Sequence, residues 1–271
     1  MFLAAVLQLT SGPDPGANWE QTAELTGRAA GYGAGFVATP EHTTILGSPE
    51  ERVRTAEPLD GPGVARFAGL ARSLKLNLLL GSFNERGREP GRCRNTSVLF
   101  GPDGSIRGVY RKIHLFDVNV SPSVNVRESD VVEPGDETVV VETALARVGM
   151  SVCYDLRFGA LYRAMRLAGA EVICVPAAFT LTTGRDHWEP LLRARAIENQ
   201  AYVLAPAQYG RHGGGSDLSE SYGHAMIVDP WGLVVARASD GPGLALAEVD
   251  IHRVAKVRRA IPVADHERFS L

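Results

Sequence analysis

Short apolar runs alternate with longer segments of helical period along the whole chain, and this alternation limits it to a layered α/β fold. Strand-like runs fall at Phe2–Gln8, Phe36–Thr39, Leu76–Phe83, Glu171–Pro176, Ala201–Ala205 and Leu244–Val249. Helical patterns fall at Asn18–Ala34, Gly63–Leu74, Gly159–Ala168 and Asp186–Asn199. Hairpins are mixed in. Asn95–Phe100 and Ile106–Tyr110 flank the turn Gly101-Pro-Asp-Gly104, Val139–Glu142 precedes Ala146–Val152, and Gly223–Asp229 and Leu233–Ala236 flank Pro230-Trp-Gly232. About a dozen strands are too many for one doubly wound sheet of ordinary width. Two sheets packed face to face, with helices outside, bury them better. Without an internal repeat or low-complexity linker, residues 1–271 read as one domain. Ser121–Asp130 and Gly210–Ser221, the second containing Gly213-Gly-Gly215, read as mobile loops.

Of the 271 residues, 45% are hydrophobic and 22% charged, enough to bury a sizeable core. A net charge of −3 gives no electrostatic affinity for nucleic acid. The basic clusters Arg92-Cys93-Arg94 and Arg258-Arg259 are short and read as solvated surface. The apolar start Met1–Leu9 lacks a basic lead-in and soon meets Ser11-Gly-Pro-Asp-Pro15. It is too short for a membrane span and reads as a buried first strand, so no membrane partner is expected. Cys93, Cys153 and Cys174 form an odd, sparse set without CxxC spacing, which favours a reduced, cytoplasmic protein over a disulfide framework or zinc site. No His/Asp/Glu cluster has metal-ligand spacing, and the Gly213 run lacks the Lys-Ser/Thr of a phosphate loop. Neither metal nor cofactor is expected.

Cys174, in Val172-Ile-Cys-Val175, reads as core, and Cys93 as an incidental loop thiol. Cys153 differs. In Arg147-Val-Gly-Met-Ser-Val-Cys-Tyr-Asp-Leu-Arg-Phe158 an apolar strand delivers one thiol to a polar turn, with a helical pattern just beyond. A nucleophile suits that position, where backbone N–H groups favour a thiolate and can receive an oxyanion. A buried core cysteine is the competing reading. Glu41 ends an apolar run after Pro40, and Lys112 follows another; each, alone, is equally a solvated charge. Together with a thiol they suggest a hydrolase. A carboxylate raised toward neutrality by desolvation can move the thiol's proton to a leaving nitrogen, and a lysine can stabilise the oxyanion. His187-Trp188 and His224 read as packing and capping residues.

Three segments resemble the motifs of the nitrilase (carbon–nitrogen hydrolase) superfamily: Pro40-Glu41, Tyr110-Arg-Lys-Ile-His-Leu-Phe-Asp117 and Gly149-Met-Ser-Val-Cys-Tyr-Asp-Leu-Arg-Phe158. Gly184-Arg-Asp-His-Trp-Glu189, Arg193-Ala-Arg-Ala-Ile-Glu198 and Tyr222-Gly-His-Ala-Met-Ile-Val-Asp-Pro-Trp-Gly232 extend the likeness over nearly the whole chain. The resemblance implies a four-layer αββα sandwich, assembled as a homodimer or higher homo-oligomer. It implies Glu41 as general base, Lys112 as oxyanion and leaving-group stabiliser, and Cys153 as nucleophile. Glu128, in Asn125-Val-Arg-Glu128, falls where many members carry a second glutamate that orients the lysine.

Within the superfamily the sequence is similar to the Nit branch, which holds omega-amidases and deaminated glutathione amidases. Ala207-Gln-Tyr-Gly-Arg-His212 and Ser221-Tyr-Gly-His224 lean toward the second group, while Leu181-Thr-Thr-Gly184 is shared with the first. The resemblance implies an amidase acting on a small 2-oxo acid amide through an acyl-thioester, with release of ammonia or an amine. Arg157, Phe179 and Thr183 would hold the 2-oxo carboxylate, with Tyr154 beside the thiol. A structural ion pair of Arg157 with Asp155 or Glu198 is the alternative. Other functions consistent with the residues are hydrolysis of 2-oxoglutaramate, of N-carbamoyl amino acids or of aliphatic amides, or a non-catalytic, partner-regulated scaffold.

Overall fold

The structure, a computed structural model, describes residues 1–121, 124–212 and 220–269. Its strands are β1 (Phe2–Leu9), β2 (Phe36–Ala38), β3 (Asn77–Arg86), β4 (Cys93–Phe100), β5 (Ile106–Arg111), β6 (Asp117–Ser121), β7 (Val124–Arg127) and β8 (Val139–Glu142), then β9 (Arg147–Met150), β10 (Val172–Cys174), β11 (Tyr202–Ala205), β12 (Ala207–Arg211), β13 (Glu220–Tyr222), β14 (Met226–Val228), β15 (Val234–Arg237) and β16 (Gly243–Val249). The helices are α1 (Pro15–Gly31), α2 (Pro49–Arg54), α3 (Pro62–Leu74), α4 (Gly159–Leu167), α5 (Leu181–Asn199), α6 (Ile251–Ala260) and α7 (Val263–His266).

Two large sheets dominate. One runs β13-β12-β1-β2-β3-β4-β5, with β16 also antiparallel to β1; the other runs β15-β14-β11-β10-β9-β8. Side-chain alternation sorts each strand into two faces. From the first sheet Ala4, Val6, Phe36, Ala38, Leu79 and Leu99 turn toward Val148, Met150 and Ile227 of the second, and the two faces share one core. The opposite faces of β1, β2 and β3, with Leu7, Val37 and Leu78, pack on Leu25 and Ala29 of α1 and Phe67 and Ala71 of α3. Leu161 and Met165 of α4 and Trp188, Leu192 and Ala196 of α5 cover the second sheet. The order is therefore helix, sheet, sheet, helix, as expected. Strands β1, β2 and β3 are parallel, and so are β9, β10 and β11.

Several local expectations are corrected. Helix α5 starts at Leu181, one turn and more before Asp186, and carries Pro190 within it. The segment 121–130 holds β7 and the 3₁₀ turn Glu128–Asp130, and β7 pairs with β6. β12 and β13 flank the other suspected mobile loop, whose Gly213-Gly-Gly215 lies outside the described residues. Helix α6 was not anticipated. Its apolar positions are Ile251, Val254 and Val257 amid basic residues, and Val254 and Val257 are buried. The basic clusters are not wholly solvated either. Arg258 donates to the carbonyls of Ala170 (2.6 Å) and Gln200 (3.2 Å), and Arg94 is buried against Glu133 at 3.0 Å. Cys93 is the buried first residue of β4, not a loop thiol.

Candidate active site

Four of the expected residues meet at one rim. Glu41 follows the C-terminal end of β2, Lys112 that of β5 and Cys153 that of β9, so the two sheets contribute from facing strand ends. Glu128 opens the 3₁₀ turn after β7. All four are buried.

Glu41 reaches the rim because the chain after β2 folds tightly over β3. Thr43 N–H donates to the Ser82 carbonyl at 3.1 Å and His42 N–H to Ser82 Oγ at 2.8 Å. His42 takes a positive φ of 55° at the bend. A Cβ on Gly81 would collide with the Thr39 and Pro40 carbonyl oxygens, so only glycine admits this approach. Cys153 also has positive φ, 50°, at the first residue of the 3₁₀ turn Cys153–Arg157. Such a conformation costs a non-glycine residue about 1–3 kcal/mol and is held only by its surroundings. Here the Cys153 N–H bonds to the Pro176 carbonyl at 2.9 Å, and buried Asp155 ties the turn across the sandwich. Asp155 accepts from Val152 N–H (2.8 Å), Tyr110 Oη–H (2.7 Å) and His114 N–H (3.0 Å).

Lys112 Nζ lies 3.0 Å from Glu41 Oε1 and 2.8 Å from Glu128 Oε2. Asn95 Nδ2 donates to Glu41 Oε1 at 2.9 Å and to Glu128 Oε1 at 3.2 Å. Phe116 N–H adds a bond to Glu128 Oε2 (2.7 Å) and Ala178 N–H one to Glu41 Oε2 (2.9 Å). The Cys153 thiol lies close enough to Glu41 for each group to perturb the other's titration. Arg52 lies 3.8 Å from Glu128, and its Nη2 donates to His42 Nε2 at 3.1 Å, which leaves the imidazole proton on Nδ1.

The protonation states follow. Burial pushes the Glu41 carboxyl up, but Lys112 and the donors around it outweigh burial and hold it down at about 2. Burial pulls Lys112 down, and Glu128 and Glu41 more than reverse that, so it stays an ammonium. Glu128 is pushed up by burial and drawn below its usual range by Lys112 and Arg52. Burial, then the Glu41 charge, raises the Cys153 thiol well above its ordinary value. Burial and Arg52 lower His42 to about 3, so it is neutral. Two sequence expectations are thereby reversed: Glu41 is not lifted toward neutrality, and the turn does not make a resting thiolate. The resting site holds a neutral thiol against a carboxylate. Glu41, His42 and Glu128 place ligand-type atoms within 4.8 Å of one another, but Lys112 and Arg52 already balance the two carboxylates.

A cleft of about 660 Å³ opens over the thiol. Tyr154, Arg157, Phe179 and Thr183 all line it. The Arg157 guanidinium carbon stands 5.2 Å from the Phe179 ring centroid and 5.9 Å from that of Tyr154, and Thr183 Oγ1 is 2.9 Å from Thr180 Oγ1. The suspected structural ion pair is not formed. Asp155 is engaged as above, Glu198 pairs with Arg195 at 2.6 Å, and among the described residues Arg157 has no carboxylate partner. Sequence reasoning missed Asn95, His42 and Arg52. Trp188, by contrast, packs as expected, buried and donating to the His224 carbonyl at 3.0 Å.

A family model described as carbon-nitrogen hydrolase matches residues 3–259. The chain belongs to the carbon–nitrogen hydrolase family. This hydrolase is 43% identical to the deaminated glutathione amidase of Mus musculus over 99% of its own length and 84% of that protein. It is 40% identical to the deaminated glutathione amidase of Synechocystis, over 99% and 98% of the two chains. Among solved structures it resembles Saccharomyces cerevisiae Nit3, a member of branch 10 of the nitrilase superfamily. There the TM-score is 0.88 and the identity 29%, covering 99% of this chain and 97% of that one. It also resembles the Caenorhabditis elegans NitFhit protein, with TM-score 0.92 and 38% identity, over 98% of this chain and 65% of that one.

Proposed function

We propose that this carbon–nitrogen hydrolase, a single domain over residues 1–271, cleaves the amide of a small 2-oxo acid, deaminated glutathione, through a thioester on Cys153. Relatives of that name cover nearly the whole chain. The observation that carries the reading is Arg157: a half-buried cation in the cleft beside the thiol, without a carboxylate of its own among the described residues. A 2-oxo acid brings an ionised carboxylate, which needs such a partner when it leaves water.

The chemistry runs as two acyl transfers. Glu41 takes the thiol proton as sulfur attacks the amide carbon, and Lys112 faces the oxygen that becomes negative. At rest this transfer runs uphill, from a raised thiol to a depressed carboxylate. The charge forming opposite Lys112 offsets that cost, so the proton moves when a carbonyl is in place. Glu41 then gives the proton to the departing nitrogen, the C–N bond breaks, and the amine leaves. Water entering the cleft loses a proton to Glu41 and attacks the thioester; the carboxylic acid departs and sulfur regains the proton. Glu128 orients Lys112.

The three cysteines are free, and no described helix is long and apolar enough to cross a membrane. We further propose a cytoplasmic enzyme that works without a nucleic-acid partner, as its net charge of −3 favours, and without a cofactor. We expect a homodimer or higher homo-oligomer, and a monomer by light scattering at micromolar concentration would refute that. The substrate reading is tested by Arg157→Ala. It should lose about 30- to 1000-fold in kcat/KM on 2-oxo acid amides, with a far smaller loss on neutral aliphatic amides. Equal losses on both would make Arg157 a prop for the turn after Cys153.

A further inference from the structure

We propose that Asn95 is a positioning residue of this hydrolase: its amide holds Glu41 and Glu128 in a closed ring around Lys112, leaving one ammonium hydrogen for the substrate's carbonyl oxygen. This rests on the roles given above to Glu41, Lys112 and Cys153.

The placement comes from register. β4 and β5 pair Thr96 with Arg111, and the Lys112 N–H donates to the Asn95 carbonyl at 2.9 Å. Asn95 and Lys112 are therefore direct cross-strand neighbours on one face. On the opposite face Thr96 and Arg111 share Glu85 instead.

The ring then closes atom by atom. Lys112 Nζ bonds Glu41 Oε1, which also accepts from Asn95 Nδ2; that same nitrogen bonds Glu128 Oε1, and Glu128 Oε2 returns to Lys112 Nζ. An ammonium has three hydrogens, and two are used among the described residues. The amide has one possible orientation, because its oxygen would repel both carboxylates. Asn95 Oδ1 is left buried without a hydrogen-bond partner. Native folds rarely tolerate that, so the two bonds on the other side of the amide must outweigh it.

The residue type also fits. Glu41 and Glu128 are both ionised and share one amine, so they repel each other. An aspartate at position 95 would add a third anion, and a lysine or arginine would compete with Lys112 for the oxygens. A neutral double donor keeps both carboxylates in place and leaves Lys112 as the amine that can face the cleft. Asn95 itself is buried and does not line the cleft, so it acts through its neighbours. The groups that face Glu41 are Lys112, His42, Cys153, Asn95 and the Ala178 N–H, with Glu128 and Arg52 beyond them.

Asn95→Leu removes the donors at similar size, and Asn95→Ala does so without bulk. With folded enzyme normalised by circular dichroism, either variant should lose about 10- to 100-fold in kcat, with KM changed less than about threefold. A lost donor raises the carboxyl it served, so the acid limb of kcat/KM should move up by about one pH unit or more. Full kcat in a folded variant, or a loss with the acid limb unmoved, would overturn the proposal and leave Asn95 a packing residue. Turnover by Cys153→Ala is a separate outcome, which would sink the triad itself.

Discussion

At the scale of single residues, burial and pairing oppose each other around His42 and Glu41, and the balance sets how the fold responds to acid. The folded imidazole titrates near 3 against a usual 6.5. As pH falls below about 6.5 the unfolded chain binds a proton that the native one refuses, so stability declines from there toward pH 3. Glu41 adds a later loss. Its contribution is present above its usual 4.5 and disappears as pH falls toward about 2. Melting temperature should therefore decline between pH 7 and 5. His42→Asn should reduce that decline, since asparagine tolerates the positive φ and does not titrate. Buried His212, also lowered, leaves a residual slope in both proteins. Identical slopes for native enzyme and variant would remove His42 from the account. Glu41, Lys112 and Cys153 stood out as candidates in the sequence because each follows an apolar run within a family motif, and Glu128 only through the place that the resemblance gives a second glutamate. Their protonation states were not, since these depend on burial and on the meeting of Lys112, Glu41 and Glu128, which only the fold brings about.

At the scale of elements, the tight passage over Gly81 is the decisive packing event. Gly81→Ala forces the Thr39 and Pro40 backbone away from β3, and with it Glu41. The cost lies at the upper end of about 1–3 kcal/mol for overpacking. Thermal unfolding should show it, together with at least about a tenfold loss of kcat, since misplacing the proposed general base would slow the proton transfers assigned to it. Native turnover in Gly81→Ala would mean that Glu41 does not depend on this passage. The element scale also explains what the sequence concealed. The hairpin at Gly101–Gly104 was visible, but β4 and β5 shift register between Leu99 and Phe100. Counting straight from the turn sets Asn95 opposite Arg111 and on the wrong face; the bulge restores it to Lys112. Helix α6 was hidden for another reason. Only two of its ten residues are buried, and its basic end reads as solvent-facing until Arg258 is seen capping carbonyls of Ala170 and Gln200.

At the scale of the whole molecule, the proposed catalysis draws on two sheets that each carry part of the candidate site. The first supplies Glu41 and Lys112, the second Cys153, and the Tyr110–Asp155 bond ties them where the core ends. Tyr110→Phe should therefore cost about 1.5–3 kcal/mol, the range for a hydrogen bond to a charged group, and lower kcat more than it changes KM. A variant with native melting and native kcat would show that the sheets are held without this tie. The sandwich itself was legible, because so many strands require two sheets, but strand counting could not show which strand ends face each other across the core. In the proposed reaction the acyl transfer to Cys153 is the step on which every other role depends. It is tested most directly by rapid-quench intact mass spectrometry of the enzyme mixed with deaminated glutathione. A transient acyl adduct, thioester-linked through the former amide carbonyl and still carrying its free 2-oxo carboxylate, should map to Cys153, with neither adduct nor turnover in a folded Cys153→Ala variant. Turnover by that variant, or an adduct on another residue that forms and decays at the rate of turnover, would contradict it.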